Sequence, residues 1–271
     1  MAQNARKYVK VVLSGEGADE LFGGYPMYCQ AVHFMDYEHK VPKALRKAAG
    51  AVASKLPDFK GKHFLVRGAE EPWQRYMRAN YVFLDPAERD RCLKKNYHSP
   101  RPEQFFKPYF DKVQGLDEPT QLQWVDMHTW MLYDILLKAD RMSMANSLEL
   151  RVPFLDRKVF ELASHIPTKC KVNANQTKIA MRGAAERPFP PKRQTKRSSA
   201  SLFRYAPGCG MSSMRALCAR HLTPPPRSSF FRTKELNAML DQHISGKRDN
   251  WRQIWCIFMF LVWYDEYFVK R

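Results

Sequence analysis

The chain opens on a short apolar run, Val9-Lys10-Val11-Val12-Leu13-Ser14, that ends at a glycine. β-Branched residues bounded by a turn signal predict a short, largely buried strand over 10–14. Helical spacing then takes over. Residues 41–50 and 70–98 are predicted helical, with Pro42 and Pro72 as first-turn prolines. From Gln121 to Met144, Leu122, Val125, Met127, Trp130, Met131, Ile135 and Leu136 recur near helical spacing. Pro153 must interrupt that pattern, and Leu155 to Ile166 resumes it. Phe230 to Leu240 predicts an amphipathic helix, and Asn250 to Phe268 a strongly apolar one. The longest apolar run, Ile254 to Trp263, is ten residues. That is half a bilayer span, so it predicts a buried core helix. One strand followed mainly by helices is odd, because parallel strands need partners. The opening strand has lost its neighbours or never had them.

Composition sets the bounds. At 271 residues, the chain can form one large domain or two modest ones. A hydrophobic fraction of 45% with 13% aromatics excludes a disordered or fibrous protein overall. Six cysteines (Cys29, Cys92, Cys170, Cys209, Cys218, Cys256) form no CxxC pair and no zinc-like spacing with histidine. Reduced cytosolic thiols are the simpler reading, and the start lacks the long apolar stretch of a signal peptide.

The net charge of +18 first suggests nucleic acid or an anionic membrane. However, residues 187–229 alone hold nine Lys or Arg, no acid, seven Pro and seven Ser. Half the net charge lies there. The window reads as a solvated basic loop or a nucleic-acid arm, although an arm should carry interleaved aromatics and a folded groove.

Directly after the strand comes Ser14-Gly15-Glu16-Gly17-Ala18-Asp19-Glu20. In open α/β sheets ligands sit beyond the carboxyl ends of strands, so a polar loop here is well placed. Gly15 and Gly17 allow close backbone approach. Glu16, Asp19 and Glu20 fall at i, i+3 and i+4, so a helical turn would present them on one side. Such a trio repels itself unless a cation intervenes, and magnesium with a polyphosphate is a sensible partner. An acidic helix start favoured by the helix dipole is the alternative. The loop is neither a Walker loop nor GxGxxG.

Val11 to Tyr25, VVLSGEGADELFGGY, resembles the signature loop of the synthetase domain of glutamine-dependent asparagine synthetases. DILLKADRMSMANSLELRVPFLD (Asp134 to Asp156) is similar to that domain's other long signature. QTKIAMRGAAE (Gln176 to Glu186) resembles its Thr-Lys-x-x-x-Arg segment, and DNWRQIWCIFMFLVWYDEYF its closing helix. The likeness covers residues 8–187 and 230–268. It implies an α/β domain with a Rossmann-like, adenine-nucleotide α-hydrolase sheet, of which this chain keeps a predominantly helical part. It implies adenylation of the aspartate side-chain carboxylate by ATP with Mg²⁺, then displacement of AMP by ammonia that glutamine supplies through a separate glutaminase domain. A cytoplasmic protein acting on small molecules, with no nucleic acid and no membrane, follows. A homodimer of the intact protein stays open.

Carried over by residue, Ser14, Gly15 and Gly17 border the nucleotide and acyl-adenylate, and Glu16 takes a proton from the attacking ammonia. Asp19 helps hold magnesium-pyrophosphate, and Lys178 steadies the phosphates. Asp140, Arg141, Glu149 and Arg151 organise the pocket. Alternatively, Arg151 simply pairs with Asp156. Met142 and Met144 read as core packing, and His33, His39, His63 and His128 as structural or exposed.

Two departures stand against the pattern. The family's Ser-Gly-Gly-x-Asp-Ser pyrophosphate loop and its glutaminase, with a cysteine after the initiator methionine, are absent; residue 2 is Ala2. In 187–229, Arg197 to Tyr205 reads RSSASLFRY where the family carries a pattern like Lys-Lys-Leu-Gly-Phe-Pro-Val-Pro-Leu-Arg. One nucleotide string encodes both, in frames one base apart, so a compensated frameshift accounts for the window. Three readings follow: a synthetase-domain fragment inactive alone, a half-domain needing a separate chain, and a basic nucleic-acid-binding or scaffold protein.

Overall fold

The computed structural model describes residues 1–57, 59–80, 82–83, 86–95, 101–186 and 230–269. The window 187–229 lies outside them. The described residues of Met1–Ala79 and Pro100–Lys196 form one compact unit, and those of Asn80–Ser99 and Arg197–Arg271 a second.

The first unit is predominantly helical. After α1 (Ala2–Ala5) and β1 (Val11–Leu13) come α2 (Ala18–Phe22), α3 (Pro26–Lys40), α4 (Lys43–Lys55), α5 (Lys62–Gly68) and α6 (Pro72–Asn80). Past the second unit's α7 (Pro86–Cys92), it resumes with α8 (Pro102–Asp111), α9 (Glu118–His128), a π-helical turn (Met131–Leu136), α10 (Leu137–Met144) and β2 (Glu149–Arg151). A 3₁₀ turn (Pro153–Leu155), α11 (Arg157–His165), α12 (Thr168–Lys171) and α13 (Ile179–Ala185) complete it. The two strands pair in parallel with Val11 opposite Glu149, Val12 opposite Leu150 and Leu13 opposite Arg151. A parallel pair needs a crossover, and here that crossover contains the helices from α2 to α10.

The strand predicted at 10–14 therefore exists, with a neighbour the apolar pattern did not show. Its burial is corrected: Val11 is 40% and Leu13 73% exposed. Parallel strands are stable when both faces are covered, and among the described residues one face of β1 is not. The proline signals hold, with Pro72 opening α6 and Pro42 immediately before α4. The continuous helix expected over 121–144 is broken. Thr129 Oγ1 donates back to the Val125 carbonyl at 2.6 Å, a bond that bends helices. The π-helical turn that follows shifts the phase before α10 starts. Met142 and Met144, expected in the core, are exposed on α10.

Two apolar clusters hold the unit. Tyr28, Ala31, Tyr76, Phe110, Leu122, Val125 and Val172 pack where α3, α6, α8 and α9 meet the end of α12. Leu21, Phe22 and Ala163 pack α2 on α11, with Phe154 and Leu155 beside them. One buried ion pair ties the first cluster's helices: Arg75 donates Nε and Nη2 to Glu118 Oε1 and Oε2 at 2.8 and 2.6 Å.

In the second unit, α14 (Thr233–Ile244) and α15 (Trp251–Tyr264), followed by a π-helical turn (Asp265–Val269), pack on α7. Cys92, Leu236, Met239, Leu240, Ile254, Ile257 and Leu261 form its core. Asn250, buried at the start of α15, donates to the Met239 carbonyl at 3.0 Å. The apolar run 254–263 is buried along one face only: Met259 and Trp263 are exposed. No helix among the described residues is long and apolar enough to cross a membrane. Cys29, Cys92, Cys170 and Cys256 are free thiols.

Candidate active site

The strand pairing places the two long signature blocks side by side. The Ser14 N–H donates to the Arg151 carbonyl at 2.9 Å, one step past the end of β1, and the Glu149 N–H donates to the Lys10 carbonyl at 2.9 Å. The glycine loop then turns into α2. Gly17 sits at the N-cap of that helix with φ 87°, a left-handed conformation that glycine adopts without a Cβ penalty. The Leu155 side chain occupies the place a Cβ would take at Gly17. The second block thus packs directly on the backbone of the first.

The three carboxylates of the loop do not share a side. Glu16 precedes the helix, and its carboxylate accepts the Ser14 hydroxyl. Asp19 pairs with Lys178 Nζ at 3.0 Å. Glu20 is 1% exposed and accepts the Tyr25 hydroxyl at 2.6 Å. The expected acidic face is corrected accordingly: α2 begins at Ala18, so Glu16 is off the helical ladder, and burial of Glu20 is compensated by a donor rather than a cation. Among the described residues no three His, Cys, Asp or Glu side chains are grouped to hold a metal ion.

Lys178 is held from several directions. It adopts φ 54° and ψ 39°, a left-handed conformation that costs an L-residue about 1–2 kcal/mol. Its N–H reaches the Gly23 carbonyl at 3.4 Å, and its carbonyl accepts the Arg182 N–H at 2.8 Å. A Cβ at Gly24 would overlap both the Asp19 carboxylate and Lys178 Cε. The glycine pair is therefore what lets the third block lie against the first. Strained backbone of this kind clusters where a side chain must be aimed.

Of the remaining predicted residues, Glu149 and Arg151 lie on the same side of β2 and pair with each other, Arg151 Nε to Glu149 Oε1 at 2.8 Å. Both are exposed. Arg151 does not pair with Asp156, whose carboxylate caps α11 by accepting the Lys158 N–H at 2.9 Å. Asp140 and Arg141 are exposed on α10, and neither side chain forms a hydrogen bond or ion pair among the described residues. Gly15 is exposed, with open space around it. The structure thus joins Ser14 to Glu16, Asp19 to Lys178 and Glu149 to Arg151, and leaves Asp140 and Arg141 unlinked to them.

Sequence reasoning missed the residues that hold α2 in place. Gln123 Nε2 donates to the Glu20 carbonyl at 2.7 Å in a buried bond. One turn on, Asp126 accepts the hydroxyls of Tyr28 at 2.5 Å and Tyr76 at 2.8 Å. Trp130 Nε1 donates to the Tyr25 hydroxyl at 3.3 Å. Burial pushes Asp126 up to about 6, with the Glu20 charge adding and the two tyrosine bonds opposing. Tyr25, Tyr28 and Tyr76 are raised well above the usual phenol range by burial and by the carboxylates beside them. A signal was present: Gln123 and Asp126 are polar residues three apart within the apolar stripe of α9, which is unfavourable unless each has a buried partner.

The donor set fits a magnesium polyphosphate better than a bare metal. Asp19 offers one carboxylate, and Mg²⁺ is commonly held by one or two carboxylates plus phosphate oxygens. Lys178 lies beside it, 3.0 Å away, as a compact cation of the kind such oxygens would accept.

Comparison with known proteins follows the same lines. The asparagine synthase family profile matches residues 1–265. Asparagine synthetase [glutamine-hydrolyzing] 1 of Bacillus subtilis is 35% identical over 272 residues, covering 100% of this chain and 43% of its own length. A putative asparagine synthetase [glutamine-hydrolyzing] of Mycobacterium bovis is 37% identical, covering 97% of this chain and 40% of its own. The chain therefore spans about two fifths of the relatives' length. No solved structure matches.

Proposed function

The chain belongs to the asparagine synthase family, and from that premise we propose that it carries the second half of the synthetase site. The reaction is adenylation of the aspartate side-chain carboxylate by ATP with release of pyrophosphate, followed by attack of ammonia to give asparagine and AMP. Glutamine, through a glutaminase elsewhere in the protein, supplies the ammonia. The Asp19–Lys178 pair carries the reading, because it joins two sequence blocks at a position suited to a metal-bound polyphosphate.

ATP supplies the leaving group and the carboxylate's activation. Lys178 counters charge on the phosphates, and Asp19 would hold Mg²⁺, which would supply further electrostatic stabilisation there. Glu16 accepts a proton from the attacking ammonia, and Ser14, through its bond to Glu16 Oε2, fixes that carboxylate's orientation. Gly15 and Gly17 let the loop backbone approach the acyl-adenylate. Glu149 and Arg151 border the pocket from β2, with Asp140 and Arg141 on α10.

By itself the chain is inactive, since catalysis by preorganised charge fails when half the phosphate cradle is missing. The exposed Val11 and Leu13 side chains support this, because they call for a cover that the described residues do not provide. That cover comes from further polypeptide, either continuous with this chain or on a separate one. For 187–229 we keep the compensated frameshift, which translation of the coding DNA in the adjacent frame tests directly.

The functional test is pyrophosphate release dependent on aspartate, ATP and ammonium. The chain is assayed alone and fused behind the upstream part of the Bacillus subtilis relative. No release alone, release in the fusion and its loss in Lys178→Ala are expected. A folded but inert fusion, or release that Lys178→Ala leaves unchanged, overturns the reading.

A further inference from the structure

A second set of basic side chains in the first unit has no part in the site above. Gln30, His33 and Phe34 of α3 and His63, Phe64 and Arg67 of α5 line an open cavity of about 340 Å³. That volume suits a small organic ligand. Its floor is aromatic: Phe34 and Phe64 stack with centroids 5.2 Å apart and planes 13° from parallel. Phe34 is buried, while Phe64 is exposed. The lining contains three basic or protonatable groups and no carboxylate.

The charge balance singles out Arg67. Around it, Arg46 pairs with Glu38, Arg75 with Glu118 and Arg78 with Glu70. Each of these carboxylates is already taken. Arg67 has no ion-pair partner among the described residues. Its Nη1 donates to Gln30 Oε1 at 3.0 Å, and its guanidinium lies 5.3 Å from the Phe34 centroid. Its Nε is buried without any hydrogen-bond partner. Glu70 and Glu118 act on its charge without pairing with it, and with Gln30 as its acceptor the half-buried guanidinium keeps edge donors for an anionic ligand. A guanidinium over Phe34, whose stacked neighbour Phe64 is exposed, also offers the two elements by which planar ligands are held, a ring to stack on and donors at the edge.

We propose that this cavity binds a small planar aromatic anion, its ring against Phe64 and its carboxylate or phosphate group against Arg67, with His33 and His63 as additional donors. The site is separate in residues from the signature loop and serves recognition rather than catalysis.

The test uses phenyl phosphate titrated into the intact chain, followed by the histidine ring-proton NMR signals, assigned with His33→Gln and His63→Gln. Saturable shifts confined to His33 and His63 are expected. Arg67→Gln should weaken binding about tenfold or more, which is about 1.4 kcal/mol. Phe64→Leu should weaken it about fivefold, and inorganic phosphate or phenol should each bind at least about tenfold more weakly than phenyl phosphate. If Arg67→Gln does not fold by circular dichroism, the exposed double variant His33→Gln/His63→Gln takes its place, with a loss of about fivefold expected. Absence of saturable shifts in the unsubstituted chain overturns the proposal. So does equal affinity in the variants, or inorganic phosphate binding as tightly as phenyl phosphate, which marks a bare anion patch.

Discussion

Asp126 offers a measurable handle on the network that positions the signature helix. It is 2% exposed, and its carboxyl is raised from 3.8 to about 6 chiefly by burial. A folded-state value above the unfolded one means that the native chain binds the proton more tightly. The resulting stabilisation is fully present below the unfolded value near 3.8 and is lost as pH rises through about 6. A shift of about 2 units corresponds to about 3 kcal/mol, at 1.36 kcal/mol per unit. Asp126→Asn resembles the protonated carboxyl in shape and cannot ionise, so it should lack this loss. Urea unfolding followed by circular dichroism, on both proteins at pH 4 and pH 7, gives the difference between variant and parent at each pH. That difference should move in favour of the variant by about 2 kcal/mol between the two conditions, because at pH 4 the unfolded carboxyl is still partly ionised. Other carboxylates titrate in both proteins and cancel. A difference constant within about 0.5 kcal/mol would refute the reasoning, because Asp126 would then titrate alike folded and unfolded. A variant destabilised further at pH 7 would mean that the two tyrosine bonds to the ionised form outweigh its burial.

Gly24→Ala should destabilise the first unit by about 1–3 kcal/mol, since the new Cβ meets Asp19 and Lys178; thermal melting checks it. Lys178→Gly should be more stable than Lys178→Ala by about 1 kcal/mol, because both lose the ion pair but only glycine relieves the left-handed backbone. Equal melting points for those two variants would show that the strain is absent. Glu118→Gln should cost less than the about 3–5 kcal/mol of a fully unpaired buried charge, because Arg75 keeps Glu38 at 3.2 Å, and Arg75→Met/Glu118→Gln should cost less than that single change. A double-mutant cycle in urea measures both.

The sequence and the structure agree where local chemistry decides the outcome. Lys10 to Ser14 is β-branched and ends at glycine, so β1 could be read, and prolines 42 and 72 marked the helix starts. Glu149-Leu150-Arg151 could not be read as a strand. It is three residues long with charges on alternate positions, and only its pairing to β1 makes it one. The burial expected of β1 failed because apolar residues report what a strand would bury, while cover depends on the rest of the sheet. In 121–144 the period was legible, but the Thr129 back-bond and the change of phase at the π-helical turn were not. At the site, glycines and acids located the loop. Asp19 and the backbone of the helix that carries Glu20 depended on residues remote in sequence, Lys178 and Gln123, whereas the Glu16 and Glu20 carboxylates take the nearby Ser14 and Tyr25.

These same pairings set the terms on which a ligand can bind. Ser14 satisfies Glu16, Lys178 satisfies Asp19, Tyr25 satisfies Glu20 and Arg151 satisfies Glu149. With its polar groups answered internally, the first unit can hold its loop without a nucleotide. Binding must then exchange partners, and only the surplus over the broken pairs appears as affinity. The exchange is easier where a pair is open to water, as at Glu149 and Arg151 and in part at Asp19 and Lys178, and hardest at Glu20, which is enclosed. Under the proposed function Asp19 and Lys178 would be handed to a metal-bound phosphate, while Glu20 stays with Tyr25. The apolar side shows the reverse: among the described residues Val11 and Leu13 are left partly or largely uncovered, and no small polar ligand can supply the cover. The loop's electrostatics are thus self-contained, but the sheet that should carry it is not. The proposed activity would therefore depend first on completing the sheet and only then on the residues placed at the substrate.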